Sequence, residues 1–375
     1  MTATKKRAVA TPDAEININQ AITSAYAQRL LEWFDTHGRH DLPWQIERTP
    51  YRVWLSEIML QQTQVATVIP YFHRFVETLP SLGTLASATE DDVLALWSGL
   101  GYYSRARNLH ASAKICMADH DGELPRDFDA LHALPGIGRS TAGAILAQAW
   151  GETQPILDGN VKRVLTRLHG IEGWPGLPQI EKRLWAITEA SLPTSPKTSL
   201  RMADYTQAQM DLGATVCTRS RPRCGVCPFD DLCIAKLSSR VAVLPTSKPK
   251  KTIPQRETRM IWLRDDKQRT LLQRRPATGI WASLWSLPEF DDVDAAKAIA
   301  QQYAKLRRET DAQELPLIEH AFTHYRLRIH PHLFDGVAPR AHVSDNDDLR
   351  WATREELAAL GIPAPVRRLI EKETP

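Results

Sequence analysis

Apolar residues recur at helical spacing from about Ile16 to Leu237 and then change period, and this switch limits the chain to two differently built parts. Ala21 to His37, Tyr51 to Leu79, Glu90 to Leu96, Asn108 to Ala118, Thr141 to Trp150 and Val161 to His169 each carry the period of an amphipathic helix. Pro and Gly separate these segments and sustained alternation is almost absent, so the first part is predicted to be all-helical. Val241 to Gln255 then brings Pro245, Lys248, Pro249, Lys250, Lys251 and Pro254, which reads as a basic, extended, solvated linker. Beyond it, Met260 to Arg264 and Thr270 to Gln273 are predicted strands, Asp294 to Arg308 an amphipathic helix, and Leu315 to Phe334 a pair of strands. Arg354 to Leu360 and Pro365 to Lys372 close the chain as short helices. The expected order is a disordered tail over 1–15, a helical domain over 16–240, a linker over 241–256 and a mixed α/β domain over 257–375, which suits a length of 375 residues.

A formal net charge of +3 is compatible with a polyanionic partner without identifying one. Lys5, Lys6 and Arg7 are followed by Asp13 and Glu15 instead of a signal-like apolar stretch, and no apolar run reaches membrane-spanning length. A cytoplasmic protein with no membrane partner is the expectation. Four of the five cysteines crowd into seventeen residues, a pattern that in a reducing compartment points to metal ligands before disulfides. Cys217, Cys224, Cys227 and Cys233, separated by six, two and five residues, can turn their thiolates toward one centre. Spacing alone suits a zinc ion and an iron-sulfur cluster about equally. Either would use all four sulfurs, leaving a structural site with Arg219, Arg221 and Arg223 beside it in reach of phosphate.

Leu134-Pro135-Gly136-Ile137-Gly138 lies between two helical stretches, where glycine allows a sharp turn and the next helix offers its amides to an anion. A phosphate-holding hairpin and a plain interhelical turn both fit this short pattern. Asp158-Gly159-Asn160 directly precedes another helix. Asp158 is either its cap or, with Asn160 doing the capping, a carboxylate kept ionised at a helix N-terminus and suited to a developing positive charge. Glu57 stands in the apolar helical run Trp54-Leu55-Ser56-Glu57-Ile58-Met59-Leu60, either facing solvent or desolvated and able to hold a proton near neutral pH. One neutral and one charged carboxyl make an acid and a stabiliser for glycosidic cleavage.

Together the hairpin, Asp158 and the cysteine spacing resemble the endonuclease III superfamily of base-excision glycosylases. Trp54 to Val65, reading WLSEIMLQQTQV, and Gly99 to Asn108, reading GLGYYSRARN, resemble adenine DNA glycosylases of the MutY type, and the likeness covers nearly the whole chain. The resemblance implies an all-α helix-hairpin-helix DNA glycosylase domain with a [4Fe-4S] loop, followed by an α/β Nudix-like domain that recognises 8-oxoguanine. It implies base-excision repair by hydrolysis of the N-glycosidic bond of adenine mispaired with 8-oxoguanine, or with guanine, in duplex DNA, by a monomer that leaves an abasic site. Glu57 falls at the general acid, Asp158 at the carboxylate that stabilises the sugar cation, and Asn160 beside it. Gln62 and Tyr102 match side chains that enter the duplex at the lesion pair, with Thr63 beside them. Leu42 and Trp44 match walls of the adenine pocket, and Gly136 and Gly138 the phosphate-binding hairpin.

Ser140 stands where lyases of the superfamily carry a Schiff-base lysine, so water is the expected final nucleophile. Leu271 to Phe290 resembles the second domain of the MutY type, yet only Asp291, Asp292 and Asp294 follow Glu289, without a Glu-rich Nudix metal box. Phe322-Thr323-His324 falls on the loop that usually reads Phe-Ser-His and touches the oxidised guanine. A bifunctional pyrimidine glycosylase and a silent lesion-binding protein are the rival readings. Ser140 and the second domain weigh against the former, and the pairing of Glu57 with Asp158 against the latter.

Overall fold

The computed structural model describes residues 19–249, 252–291, 295–307, 310–343 and 346–373. The expected tail over 1–15 lies outside the described residues, as do Lys250, Lys251, Asp292, Asp294 and Arg308. In chain order the first helices are α1 (Gln20–His37), α2 (Pro43–Ile46), α3 (Pro50–Leu60), α4 (Val65–Thr78), α5 (Leu82–Ser87), α6 (Glu90–Leu96) and α7 (Ser104–Asp119). They are followed by α8 (Phe128–Ala133), α9 (Arg139–Trp150), α10 (Gly159–Leu168), α11 (Pro178–Ala190), α12 (Pro196–Ser199), α13 (Met202–Asp211) and α14 (Ile234–Leu237). Contacts divide the chain into two compact units, one of residues 1–57 with 124–249 and one of 58–123 with 250–375.

In the first unit, Asn19 caps α1 by accepting the Ala21 and Ile22 amides on Oδ1 at 3.1 and 3.3 Å. The four-residue spacing of Tyr26, Leu30 and Phe34 then presents one apolar stripe, and all three are fully buried. Tyr26 stacks on Phe229 at 5.0 Å and meets Tyr205 of α13 edge-on at 6.2 Å, so the cysteine-bearing segment itself is sealed onto the same core. Asp211, at the end of α13, is fully buried and accepts from the Arg39 backbone, the Arg39 guanidinium and the Gln207 amide. Within 241–249, Leu244 alone is buried, and its carbonyl accepts from Arg167 Nε at 2.8 Å, whereas most of its neighbours are exposed.

In the second unit the expected single helix over Tyr51 to Leu79 is broken at residues 61–64, where Gln62 takes a left-handed φ of 58°. Strands β1 (Gln255–Asp265), β2 (Thr270–Arg274), β3 (Trp285–Ser286), β4 (Glu289–Phe290), β5 (Ala304–Lys305), β6 (Gln313–Glu314), β7 (Ile318–Ala321), β8 (Arg326–Pro339) and β9 (Leu349–Ala352) form one mixed sheet. Its path is β3-β2-β1-β8-β5, with β1 and β8 parallel from Gln255 opposite Arg326 to Leu263 opposite Phe334. Helix α15 (Ala296–Tyr303) lays Ala296 and Ala300 on Ile261, Leu263 and Phe334, and it ends at Tyr303 because the chain turns there into β5. Helices α16 (Arg354–Ala358) and α17 (Ala364–Glu373) follow.

Candidate active site

Glu57 lies in α3, half-buried, and Gln148 of α9, itself buried, donates from Nε2 to Glu57 Oε1 at 2.8 Å. Burial pushes the Glu57 carboxyl up to about 7; the Gln148 amide pulls it down and the charge of Asp158 pushes it up again. Near neutral pH this carboxyl is therefore divided between its two protonation states, which is what a group that gives and takes a proton requires.

Of the two alternatives, Asp158 is the N-cap of α10. Its Oδ1 accepts the Val161 amide at 2.8 Å and its Oδ2 accepts Asn160 Nδ2 at 3.0 Å. Asn160 in turn accepts Arg163 Nη2 at 2.8 Å, and Arg163 also donates to the carbonyls of Gly213 and Cys217 at 2.7 Å each. Burial raises the Asp158 pKa, while the Val161 and Asn160 amides, the Asn160 side chain and the charge of Arg163 oppose that rise. Glu57 has the Gln148 amide as its one opposing group, whereas Asp158 has hydrogen bonds from Val161 and Asn160 and the nearby charge of Arg163. Ser140, in the first turn of α9, accepts the Leu157 amide on Oγ at 2.9 Å and so fixes the residue before Asp158.

Between α8 and α9 the turn is made by Gly136 at φ 80°, a conformation that strains any residue with a Cβ. Gly138 is the N-cap of α9, no side chain caps that end, and a Cβ added at Gly138 would meet no atom within 4 Å. Leu42 precedes α2 and Trp44 lies within it, and both are buried.

Cys217, Cys224, Cys227 and Cys233 line one small cavity of about 30 Å³ that Arg167 and Lys236 also border. Arg167 donates to Cys217 Sγ at 3.3 Å and to the carbonyl of Thr218 at 2.7 Å. All four cysteines are free thiols, and among the described residues no three Cys, His, Asp or Glu side chains close on a single-ion site.

The second unit holds the remaining site residues. Gln62 and Tyr102 are exposed and left-handed, with φ of 58° and 49°. The Thr63 hydroxyl beside them accepts from Arg105 at 3.2 Å. Phe322, Thr323 and His324 form the turn between β7 and β8, closed by the Phe322 amide on the Tyr325 carbonyl at 2.9 Å. Phe322 packs on Trp281 at 5.5 Å, His320 at 4.6 Å and Tyr325 at 4.8 Å, which anchors the turn and leaves Thr323 and His324 exposed at its tip. A cavity of about 400 Å³ is lined by Tyr102, Arg107 and Trp281 together with Phe322, Thr323 and His324. The structure thus gathers Glu57, Asp158, Asn160 and Ser140 in one unit, and Tyr102 with the Phe322 turn in the other.

A family described as "HhH-GPD superfamily base excision DNA repair protein" matches residues 55–190, and one described as "NUDIX domain" matches residues 259–372. An adenine DNA glycosylase of Buchnera aphidicola subsp. Acyrthosiphon pisum is 38% identical over 92% of this chain and 97% of its own length. The chain belongs to the adenine DNA glycosylases. The Homo sapiens adenine DNA glycosylase is 32% identical over 93% of this chain and 74% of its own. Among solved structures, that of a thermostable thymine-DNA glycosylase matches at a TM-score of 0.52 and 25% identity, covering 58% of this chain and 98% of that one. The glycosylase's helical half followed by a Nudix-like half is the expected architecture.

Sequence reasoning missed Gln148, Arg163 and Arg105 of this adenine DNA glycosylase. Gln148 carried the signal that singled out Glu57, a polar side chain within an apolar helical run, here Thr141 to Trp150. Arg105 and Arg163 sit among other basic residues and carried no such signal. Among the described residues of the glycosylase no helix is long and apolar enough to cross a membrane.

Proposed function

We propose that this glycosylase hydrolyses the N-glycosidic bond of adenine paired with 8-oxoguanine, and with guanine, in duplex DNA, leaving an abasic site without cutting the strand. The observation that carries the reading is the Glu57 and Asp158 pair: a carboxyl held near 7 by burial, and a second one held by an amide, Asn160 and Arg163. Glu57 protonates a ring nitrogen of the extruded adenine, which weakens the bond to the sugar. Asp158 stabilises the positive charge that grows on the sugar as the base departs, and Asn160 holds its second oxygen in place. Glu57, now ionised, takes a proton from water as the water attacks the sugar. Ser140 supports hydrolysis over lyase chemistry, because its hydroxyl is not an amine and is already engaged with the Leu157 amide.

Leu42 and Trp44 wall the adenine pocket, Gly136 and Gly138 take a phosphate at the start of α9, and Gln62, Thr63 and Tyr102 work at the lesion pair. Support for the phosphate site is the open space at Gly138 over an uncapped helix end. The Phe322 turn presents Thr323 and His324 to the 8-oxoguanine, supported by the cavity it shares with Tyr102. The four cysteines hold a [4Fe-4S] cluster: their shared cavity, the cysteine-only sulfur donors and the Arg167 hydrogen bond to Cys217 fit such a group. That cluster orders the loop of Arg219, Arg221 and Arg223, and no step of the reaction passes through it. A helical glycosylase domain over 16–240, a linker over 241–256 and a lesion-sensing domain over 257–375 make the working unit, and one chain carries every residue invoked.

The test is adenine release with enzyme in excess from a duplex with adenine opposite 8-oxoguanine, beside one with adenine opposite thymine and beside Glu57→Gln. Release from the lesion duplex alone, lost in the variant with binding retained, is expected. A folded, cluster-loaded enzyme that releases no adenine sinks the proposal. Equal iron and sulfide in the purified protein, in place of zinc, is the result expected for the cysteine site.

A further inference from the structure

Arg105, in the first turn of α7, is buried at 7% exposure and has no carboxylate partner among its hydrogen bonds. Its Nη1 donates to the carbonyls of Ile58, Met59 and Gln61 at 3.0, 2.8 and 2.6 Å. Its Nη2 donates to Thr63 Oγ1 at 3.2 Å and to the carbonyls of Leu100 and Gly101 at 3.5 and 3.1 Å. One guanidinium therefore grips both sides of Gln62 and the two residues before Tyr102. Its Cζ also lies 5.4 Å from the Trp97 and the Tyr102 ring centres, and Trp97 Nε1 donates to the Gly101 carbonyl at 3.1 Å. The two segments it joins are those whose exposed residues, Gln62 and Tyr102, take left-handed backbone conformations that residues with a Cβ seldom adopt.

We propose that Arg105 is a positioning residue that holds Gln62 and Tyr102 in their duplex-entering conformations before DNA arrives. The inference rests on the proposed role of those two side chains and adds what fixes them. Three of the six acceptors are carbonyls at the C-terminal end of α3, where a cation is favoured by the helix dipole, so the charge is met without a carboxylate. The fork geometry is essential: lysine offers three donors from one nitrogen and cannot span the Gln61 and Gly101 carbonyls together. With both loops preset, entering the duplex requires no ordering of the wedge, and the free energy of binding goes into extruding the base.

The experiment uses the full chain and a duplex carrying 2-aminopurine opposite 8-oxoguanine, whose fluorescence rises when the base leaves the stack, beside single-turnover adenine release. For Arg105→Lys the extrusion signal and the excision rate are expected to fall together by roughly ten-fold, as the loss of a charge-assisted hydrogen bond gives. Affinity for undamaged duplex and the pH profile of excision should stay at wild-type values, since phosphate contacts and Glu57 are untouched. Should the lysine variant fold poorly by its melting curve, Arg105→Gln, which keeps two donors and removes the charge, takes its place with the same expected result. Wild-type extrusion, whether excision is slowed or not, overturns the proposal. Gln62→Ala and Tyr102→Ala separate the two levels: if they too keep full extrusion the wedge reading fails, and if they lose it while the Arg105 variants do not, only the positioning role falls.

Discussion

If Glu57 is the proposed acid, Gln148, which donates to it at 2.8 Å, tunes its acidity, and the sign of that coupling is testable. As an acid, Glu57 works when protonated, so excision should hold steady below about 7 and fall as pH rises past that value. The Gln148 hydrogen bond favours the ionised form, so Gln148→Met should raise the Glu57 pKa and move the falling limb to higher pH, read from single-turnover rates across pH. A limb that stays in place, or moves down, would show that Glu57 is not the titrating acid. Ser140→Ala leaves the half-buried Leu157 amide without its acceptor, which should lower stability by about 1–3 kcal/mol in denaturant melts and slow excision through Asp158. Glu57 was legible in the sequence because a carboxylate is out of place among Trp54, Leu55, Ile58 and Met59. Asp158 was legible only as a choice between cap and stabiliser, and the structure makes it the cap with one oxygen given to Val161 and the other to Asn160.

The short π-helical turn Leu212–Val216, joining α13 to the first cysteine, presses on the start of α10 through a glycine. A Cβ on Gly213 would lie 2.5 Å from Asn160 Cβ and 3.0 Å from its Cα, backbone that cannot swing aside as a flexible side-chain end would. Gly213→Ala should therefore displace Asn160 from Asp158, lowering excision by on the order of ten-fold or more and stability by about 1–3 kcal/mol, as overpacking does. Single-turnover rates at several pH values check it: the amplitude should drop while the midpoint near Glu57's pKa stays. An unchanged rate would mean that Asn160 is not needed where it sits. Helical elements were readable because amphipathic period reports which face is covered. The break at 61–64 was not, because apolar residues keep the same period through Val65 and Val68, and the turn is held by Arg105, forty residues on. Leu244 was misread as tether for a related reason, since proline and lysine describe the local chain and the Arg167 partner is remote.

At the scale of the molecule, the linear order of a helical part and a mixed part was legible, but the grouping of residues 58–123 with 250–375 was not. Its contacts join positions far apart in the chain: Arg107 donates to the Ala282 carbonyl at 2.7 Å and Tyr103 Oη to the Ile362 carbonyl at 3.3 Å. One of them is ionic. Arg274 of β2 grips Asp91 of α6 with both Nη atoms, at 3.0 and 2.8 Å, and Trp285 Nε1 donates to the same carboxylate at 3.3 Å. Both side chains are about 30% exposed, so the pair is worth more than a surface ion pair and less than a buried one. A double-mutant cycle of Asp91→Ala and Arg274→Ala should give a coupling of about 1 kcal/mol in stability. The same cycle can be read on excision, because the clamp joins the segment of 58–123 that carries Tyr102 to the part of 250–375 that carries the β7–β8 turn, although neither of its residues lines their shared cavity. Loosening it should slow excision opposite 8-oxoguanine more than excision opposite guanine, while the Glu57 midpoint in the pH profile stays fixed. If both substrates slow equally, the clamp serves stability alone and discrimination resides in residues that the cavity does not organise.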